Sequence, residues 1–268
     1  MNIIVCVKQV PDTTEVRIDP KTGTLIRDGV PSIINPDDKN ALEEALRIKD
    51  GRDDVKVTVV SMGPPQADVA LKEAIAMGAD AAYLLSDRAV AGSDTWATST
   101  AVSTLIRYVE EKDGKYDLIF AGRQAIDGDT AQVGPQIAEH LDLPQITYVK
   151  DLKIEGDKVV AHRAVEDGYY EVECKMPVLL TAISELNEPR YPSIKGIVDA
   201  HKEDVEISVV SAADINADLD NIGLDGSPTK VHRSFTPEGR QGAGEIFDGE
   251  FKESVKKLVV KLRKDHYI

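Results

Sequence analysis

The chain has 268 residues, 42% hydrophobic and 29% charged, a length and balance that suit a soluble globular fold with a full core. Its 47 acidic residues against 32 basic ones leave a formal charge of -15, which disfavours nonspecific phosphate-backbone contact and so excludes nucleic acid as the expected partner. Cys6 and Cys174 make neither a disulfide framework nor a metal cluster, Ile3–Val7 is too short for a signal peptide, and no apolar run nears the roughly 20 residues that span a bilayer, so a cytoplasmic protein without membrane insertion is expected.

Asn2–Val7 reads as the first strand. The stretch from Lys8 to Asn35 is too long for a simple loop. Two alternating runs in it, Val16–Asp19 and Thr24–Arg27, read as the arms of a small hairpin around Pro20 and Gly23. Asn35-Pro36-Asp37-Asp38 is a helix start: Asn35 suits the N-cap, Pro36 the first helical position, and the two acids the positive end of the dipole. That helix runs to about Asp50. Lys56–Ser61 is the second core strand, followed by a helix over Gln66–Met77 that Gly78 ends. Ala81–Leu85 is a third strand, Gly92-Ser93-Asp94-Thr95 opens a helix reaching Glu111, and Asp117–Gly122 is a fourth strand. Strands and helices alternating at this spacing predict a parallel sheet covered on both faces.

After Pro144 the pattern changes. Ile146–Ile154, Lys158–Arg163 and Tyr169–Cys174 predict antiparallel hairpins that extend the sheet, and Pro177–Ile183 is the last fully apolar strand. From Ser184 onward little regular core is expected, because 187–200 carries Pro189 and Pro192 and 212–240 is polar and rich in glycine and proline. The exception is a basic amphipathic helix over Phe251–Arg263. Its stripe of Val255, Leu258, Val259 and Leu262 needs a covering surface, either this chain's or another subunit's.

One stretch carries a chemical signature. A short apolar run ends at Gly122, residues 123–130 have no hydrophobic period, and Val133, Ile137, Ala138 and Leu141 then fall at helical spacing from Ala131 onward. Asp129 and Thr130 both suit the N-cap. A strand, a polar loop with Gly122 and Gly128, and a capped helix start supply what a nucleotide phosphate needs: closely approaching amides and a positive dipole end. Doubly wound proteins have several such loops and most are empty, so the pattern alone leaves both readings open.

Protein-borne chemistry is not visible. The five histidines, His140, His162, His201, His232 and His266, show no i, i+4 pair, and no Cys–His or Gly-x-Ser-x-Gly pattern occurs. Asp37 and Asp38 could serve as acid and base, yet they sit where acids usually serve a helix dipole. Neither Gly-x-Gly-x-x-Gly after the first strand nor a P-loop is present. What remains is binding, with any reaction carried by a cofactor.

Several runs together resemble the beta subunit of electron-transfer flavoproteins, the FixA-like group. They are Val5–Asp12, Asn35-Pro36, Met62-Gly63-Pro64, Ala76–Asp80, the long run GRQAIDGDTAQVGP from Gly122 to Pro135, and LNEPRY from Leu186 to Tyr191. The resemblance covers essentially the whole length. It implies a Rossmann-like three-layer α/β sandwich of the adenine-nucleotide alpha-hydrolase type, with a parallel core sheet and an antiparallel hairpin extension. It also implies a nucleotide-binding domain over 1–186, a partner-recognition loop over 187–200, and an extended C-terminal arm over 201–268 whose last helix meets the alpha subunit. The nucleotide would rest on Cys6 beside the adenine, on Asn35, Pro36, Asp37, Asp38 and Met62, and on Gly122, Arg123, Gln124, Ala125, Ile126, Asp127, Gly128, Asp129, Thr130, Ala131, Gln132 and Val133 around phosphates and ribose.

Within that family, Arg123–Pro135 and the Ser93–Thr98 run resemble the electron-bifurcating members, which hold FAD where housekeeping members hold AMP. Asp94, Thr95 and Thr98 join the site on that resemblance, although Trp96 departs from the smaller aliphatic residue expected there. Gly128 removes a side chain where a bulkier ligand passes, and Arg123 either counters flavin or phosphate charge or is a solvated loop arginine. The implied function is passage of electrons from NADH to this subunit's FAD. One electron would go on to the FAD of the alpha subunit and a flavin dehydrogenase of acyl-CoA or lactate type, the other to ferredoxin or flavodoxin. In the recognition loop, Ile194 takes the apolar anchor position with Arg190 and Lys195 beside it. Two alternatives stand: a non-bifurcating carrier with structural AMP, and a nucleotide sensor similar to universal stress proteins.

Overall fold

The computed structural model describes residues 1–12, 17–18, 25–26, 31–202, 205, 207–232 and 244–268. In chain order the first strands are β1 (Asn2–Cys6), β2 (Gln9–Pro11), β3 (Arg17–Ile18), β4 (Leu25–Ile26) and β5 (Ser32–Ile34), followed by helix α1 (Pro36–Asp50). Then come β6 (Lys56–Met62), α2 (Asp68–Met77), β7 (Ala81–Leu85), α3 (Thr95–Asp113), β8 (Leu118–Gly122) and α4 (Val133–His140). The remainder holds β9 (Gln145–Glu155), β10 (Lys158–Val165), β11 (Gly168–Lys175), β12 (Val178–Ala182), α5 (Ile194–Ala200), β13 (Ser208–Val210) and α6 (Phe251–Lys264).

A nine-stranded sheet runs in the order β11-β10-β9-β12-β8-β1-β6-β7-β13. The strands from β9 to β13 in that order pair parallel, while β10 is antiparallel to both its neighbours. This is the α/β sandwich with hairpin extension that the sequence predicts. The central parallel strands β1, β6, β8 and β12 are buried on both faces because their side chains alternate between two apolar layers. Ile3, Val5, Leu118 and Phe120 enter the layer under α1 and α2, and Ile4 and Ile119 enter the opposite layer with Leu105 and Ile137. From β1 the chain moves outward through β6 and β7 and returns on the other side of β1 as β8. The crevice that such a reversal opens lies at the carboxyl ends of β1 and β8.

Three expectations need correction. The residues after Ser184 hold more structure than their composition suggests: β13 extends the sheet beside β7, and Ala212, Ile215 and Ile222 are buried in the second apolar layer. A three-residue strand is too short to show a period, so its existence depends on β7 being there to pair with it. The segment 187–200 is not loop throughout, since α5 occupies its second half behind Ser193, whose hydroxyl accepts from the Gly196 amide at 2.9 Å. Finally, α4 starts at Val133, later than the expected Ala131. Of the predicted small hairpin, Arg17–Ile18 pairs antiparallel with Leu25–Ile26, and the rest lies outside the described residues.

The chain divides into two compact units, Met1–His232 and Arg233–Ile268. The second contains α6, the predicted basic helix, in which no residue is buried. Among the described residues no helix is long and apolar enough to cross a membrane.

Candidate functional site

A cleft of about 1170 Å³ opens along the carboxyl ends of β8, β1, β6 and β7. Its floor is organised by Asp38, which the first turn of α1 carries into a buried position. Asp38 Oδ2 accepts from the Lys8 amide at 2.8 Å and Oδ1 from the Gly122 amide at 3.0 Å, so one carboxyl ties together the ends of β1 and β8. Burial pushes its pKa up to about 7, against the lowering effect of the Asn35, Lys8 and Gly122 hydrogen bonds. Asp38 is thus a buried structural carboxyl rather than only a dipole partner.

Asn35 occupies the N-cap position of α1 but makes no side-chain cap bond. Its Nδ2 instead donates to the Gln124 carbonyl at 2.8 Å, and its Oδ1 accepts from the Ile126 amide at 3.0 Å. The loop after β8 passes within reach, and its otherwise unpaired backbone groups claim the side chain. Lys8 Nζ pairs with Asp127 Oδ1 at 2.6 Å, and Gln124 Nε2 donates to Asp129 Oδ1. Arg123 Nε lies 3.3 Å from Asp37 Oδ2, so this arginine is ion-paired while 39% of its side chain stays exposed. Burial raises the pKa of Asp37, with Arg123 opposing.

The loop itself is tightly turned. The amides of Gly128 and Asp129 both donate to the Ala125 carbonyl, at 3.2 and 2.8 Å. Asp129 (φ 53) and Ala131 (φ 54) are left-handed, and a left-handed Ala131 cannot open a helix, which is why α4 begins later. Gln132, without a side-chain cap bond, takes the N-cap position that Asp129 and Thr130 were expected to fill. Among the described residues, nothing accepts from the amides of Thr130, Ala131, Gln132 and Val133. Left-handed residues in such a turn gather amides into an anion-binding concavity.

The opposite wall is the start of α3. Asp94 Oδ1 accepts from the Ala97 amide at 3.0 Å and so caps the helix, while Oδ2 accepts from the Thr229 amide and hydroxyl at 2.9 and 2.7 Å. Burial acts to raise the Asp94 pKa, but these bonds hold it below the usual range. Thr95 Oγ1 approaches Gln132 Oε1 at 3.4 Å, linking the starts of α3 and α4. Trp96 turns away from the cleft onto His140, edge-on with ring centroids 5.8 Å apart.

Of the residues implicated by resemblance, Cys6, Asp38, Met62, Asp94, Thr95, Thr98, Gly122, Arg123, Gln124, Ala125, Gly128, Thr130, Ala131, Gln132 and Val133 line the cleft. Asn35, Pro36, Asp37, Ile126, Asp127 and Asp129 do not, and Asn35, Asp37, Asp127 and Asp129 brace the wall from behind through the bonds above. A Cβ at Gly128 would meet nothing within 4 Å, so that position is open space. Burial and the Asp38 charge both raise the Cys6 thiol pKa, which removes it as a nucleophile. The sequence reading missed Lys8, Thr229 and the rim after β7, including Arg88, which is exposed and has no ion-pair partner among the described residues. The available signal was the place of Arg88 just beyond a predicted parallel strand, at the same sheet edge as Gly122.

Away from the cleft, Ile194 is 84% exposed and Lys195 pairs with Asp199. Arg190 is held by Glu43 and Asp50 on α1.

Residues 22–214 match the family described as electron transfer flavoprotein domain. Over the full length of both chains, the protein is 62% identical to the electron transfer flavoprotein subunit beta of Thermoanaerobacterium thermosaccharolyticum. It is 55% identical to the caffeyl-CoA reductase-Etf complex subunit CarD of Acetobacterium woodii, again over the full length of both. It is 47% identical to the acryloyl-CoA reductase electron transfer subunit gamma of Anaerotignum propionicum, with both chains fully covered.

Proposed function

The chain belongs to the electron transfer flavoprotein family as a beta subunit, and from that premise we propose that its cleft holds FAD and that it serves electron bifurcation beside an alpha subunit. The observation that carries FAD is the size and reach of the cleft. At about 1170 Å³ it is larger than the roughly 300–1,000 Å³ usual for small-molecule sites. It also continues past β1 and β6 to Arg88 beyond β7, which favours a dinucleotide over a mononucleotide.

The chain's residues fit that ligand. The amides of Thr130–Val133 and the hydroxyls of Thr95 and Thr98 offer donors for phosphate oxygens, and Cys6 and Met62 offer an apolar bed at the strand ends. Asn35, Asp38, Lys8 and Asp127 hold the loop in shape before the ligand arrives, so little ordering is left for binding to accomplish. FAD held there would supply the hydride- and single-electron-transfer chemistry needed to pass electrons from NADH toward the alpha-subunit FAD and toward ferredoxin or flavodoxin. Among the described residues the cleft's one thiol, Cys6, is disarmed as a nucleophile by burial, and the protein's part is to bind, orient and shield. The names of two relatives, a caffeyl-CoA reductase and an acryloyl-CoA reductase subunit, favour an acyl-CoA-type flavin dehydrogenase as the downstream partner. Exposed Ile194 on 187–200 is the docking anchor for it. Full-length similarity to electron-transfer subunits leaves the universal-stress reading without support.

Flavin stoichiometry is the test. The purified heterodimer is expected to contain two FAD, and a content of one FAD plus one AMP would overturn both FAD in this cleft and bifurcation.

A further inference from the structure

The segment 187–200 is fastened to α1 by a partly buried network. Arg190 Nε and Nη2 donate to Glu43 Oε2 and Oε1 at 2.8 and 3.0 Å, and the Arg190 amide donates to Oε2 at 3.0 Å. Nη2 also reaches Asp50 Oδ2 at 2.7 Å. Glu43 is only 5% exposed, so its charge depends on this guanidinium for compensation. Asn187 adds a second fastening, its Nδ2 donating to the Asn40 carbonyl at 3.0 Å and to Glu44 Oε2 at 2.9 Å, while Asn40 Nδ2 donates back to the Asn187 carbonyl at 2.7 Å. Downstream, Gly196 presses on α2, where a Cβ would lie 2.2 Å from the Ala76 carbonyl oxygen. The segment is therefore ordered at some cost in polar burial, yet Tyr191 (94% exposed) and Ile194 (84%) point outward.

We infer that Arg190 and Glu43 form a latch that presets the 187–200 segment for docking, with Arg190 a positioning residue and not a contact for the partner. The inference rests on the docking reading given above and adds the device that makes it work. A short segment with two prolines and outward apolar side chains buries too little to order itself. Without the latch, each encounter with the partner would have to supply that ordering. The planar fork of arginine suits the task because it grips both carboxylate oxygens at once and fixes direction as well as distance. Glu43 lies five residues beyond Asp38 on one helix, so the latch and the cleft floor share a rigid element.

The test compares Arg190→Ala, Arg190→Lys, Glu43→Gln and Ile194→Ala in the full heterodimer, using an acyl-CoA dehydrogenase that the wild-type heterodimer reduces. Hydrogen exchange of the 191–200 amides is read beside KM for the dehydrogenase, kcat and bound flavin. In Arg190→Ala, exchange is expected to speed at least roughly tenfold and KM to rise about fivefold or more, with kcat and flavin retained. Arg190→Lys restores part of both effects, since lysine keeps the charge without the fork. Glu43→Gln moves both readouts the same way as Arg190→Ala and avoids leaving a buried unpaired carboxylate should that variant fold poorly. Ile194→Ala raises KM with exchange unchanged. A raised KM with unchanged exchange in Arg190→Ala makes Arg190 a contact and overturns the latch while docking stands. Faster exchange with unchanged KM, in the presence of a working Ile194→Ala effect, overturns the positioning role. An unchanged KM in Ile194→Ala overturns the docking reading itself, and the latch with it.

Discussion

The amide of Gly122, the last residue of β8, donates to Asp38 Oδ1 at 3.0 Å, and a Cβ added to Gly122 would stand 2.2 Å from that same oxygen. The two chain segments meet so closely that only glycine fits. The neighbours a Cβ would strike also include the Asp38 amide nitrogen at 2.6 Å, which belongs to the helix backbone and cannot swing aside. Gly122→Ala is therefore expected to cost about 2 kcal/mol or more and to deplete bound nucleotide. Thermal unfolding and nucleotide content of the purified heterodimer check it, and a variant with wild-type values of both would refute the close-approach account.

The buried Asp38 carboxyl predicts a pH dependence. Its pKa in the fold is about 7, raised by burial from an ordinary value of 3.8, so the folded state holds the proton more tightly than the unfolded one. The stability this provides is complete below the ordinary value and is lost as pH rises through the folded one. Urea unfolding between about pH 4 and pH 7 should show stability from this group declining with pH, and Asp38→Asn should flatten that decline. An identical slope in the variant would assign the titration elsewhere.

Ala131 is the sensitive point of the phosphate loop. It sits at φ 54, where a β-branched side chain is strongly disfavoured. Ala131→Val should cost about 1–2 kcal/mol in forming the loop and weaken nucleotide binding roughly tenfold, while Ala131→Gly leaves affinity near that of the wild type. Titration of nucleotide into the deflavinated heterodimer reads both, and equal affinities for the valine and glycine variants would show that the left-handed turn is not needed for binding.

Arg88 separates the two candidate ligands. It lies on the far rim of the cleft with no ion-pair partner among the described residues, whereas Lys8 and Arg123 are engaged by Asp127 and Asp37. Arg88→Ala is expected to weaken FAD about tenfold, or 1.4 kcal/mol, and to leave AMP affinity unaltered. Calorimetric titrations with each nucleotide decide it. Equal losses for both ligands would place Arg88 near the shared adenylate half and remove it as a discriminator.

Much of the fold is legible in the chain itself. The alternation of apolar runs with helical stripes identifies the parallel core, and the Ala81–Leu85 strand falls where the period puts it. The Pro36 helix start and the Asp94 cap are local signals with local causes, because a proline at the first turn and a side-chain acceptor for the Ala97 amide need only neighbouring residues. The Gly122–Pro135 run likewise marks a binding loop by composition. Its conformation is another matter: Asp129 looks like a cap in sequence and becomes a left-handed brace for Gln124 in the structure.

What the sequence determined is whatever depends on residues within a turn or a strand of one another: element type, approximate bounds, and the site of the loop. Tertiary structure alone decided the rest, because it depends on which distant segments the topology brings together. Arg190 and Glu43 stand 147 residues apart in the chain and share a bidentate ion pair. β13 exists only because β7 offers it an edge, and Thr229 reaches Asp94 from a region whose composition suggests loop. Asp38 follows the same logic. Its place at a helix start is visible in the residues, but its burial, its raised pKa and its grip on Lys8 and Gly122 come from the crevice between β1 and β8, where a returning chain shuts water away from the carboxyl.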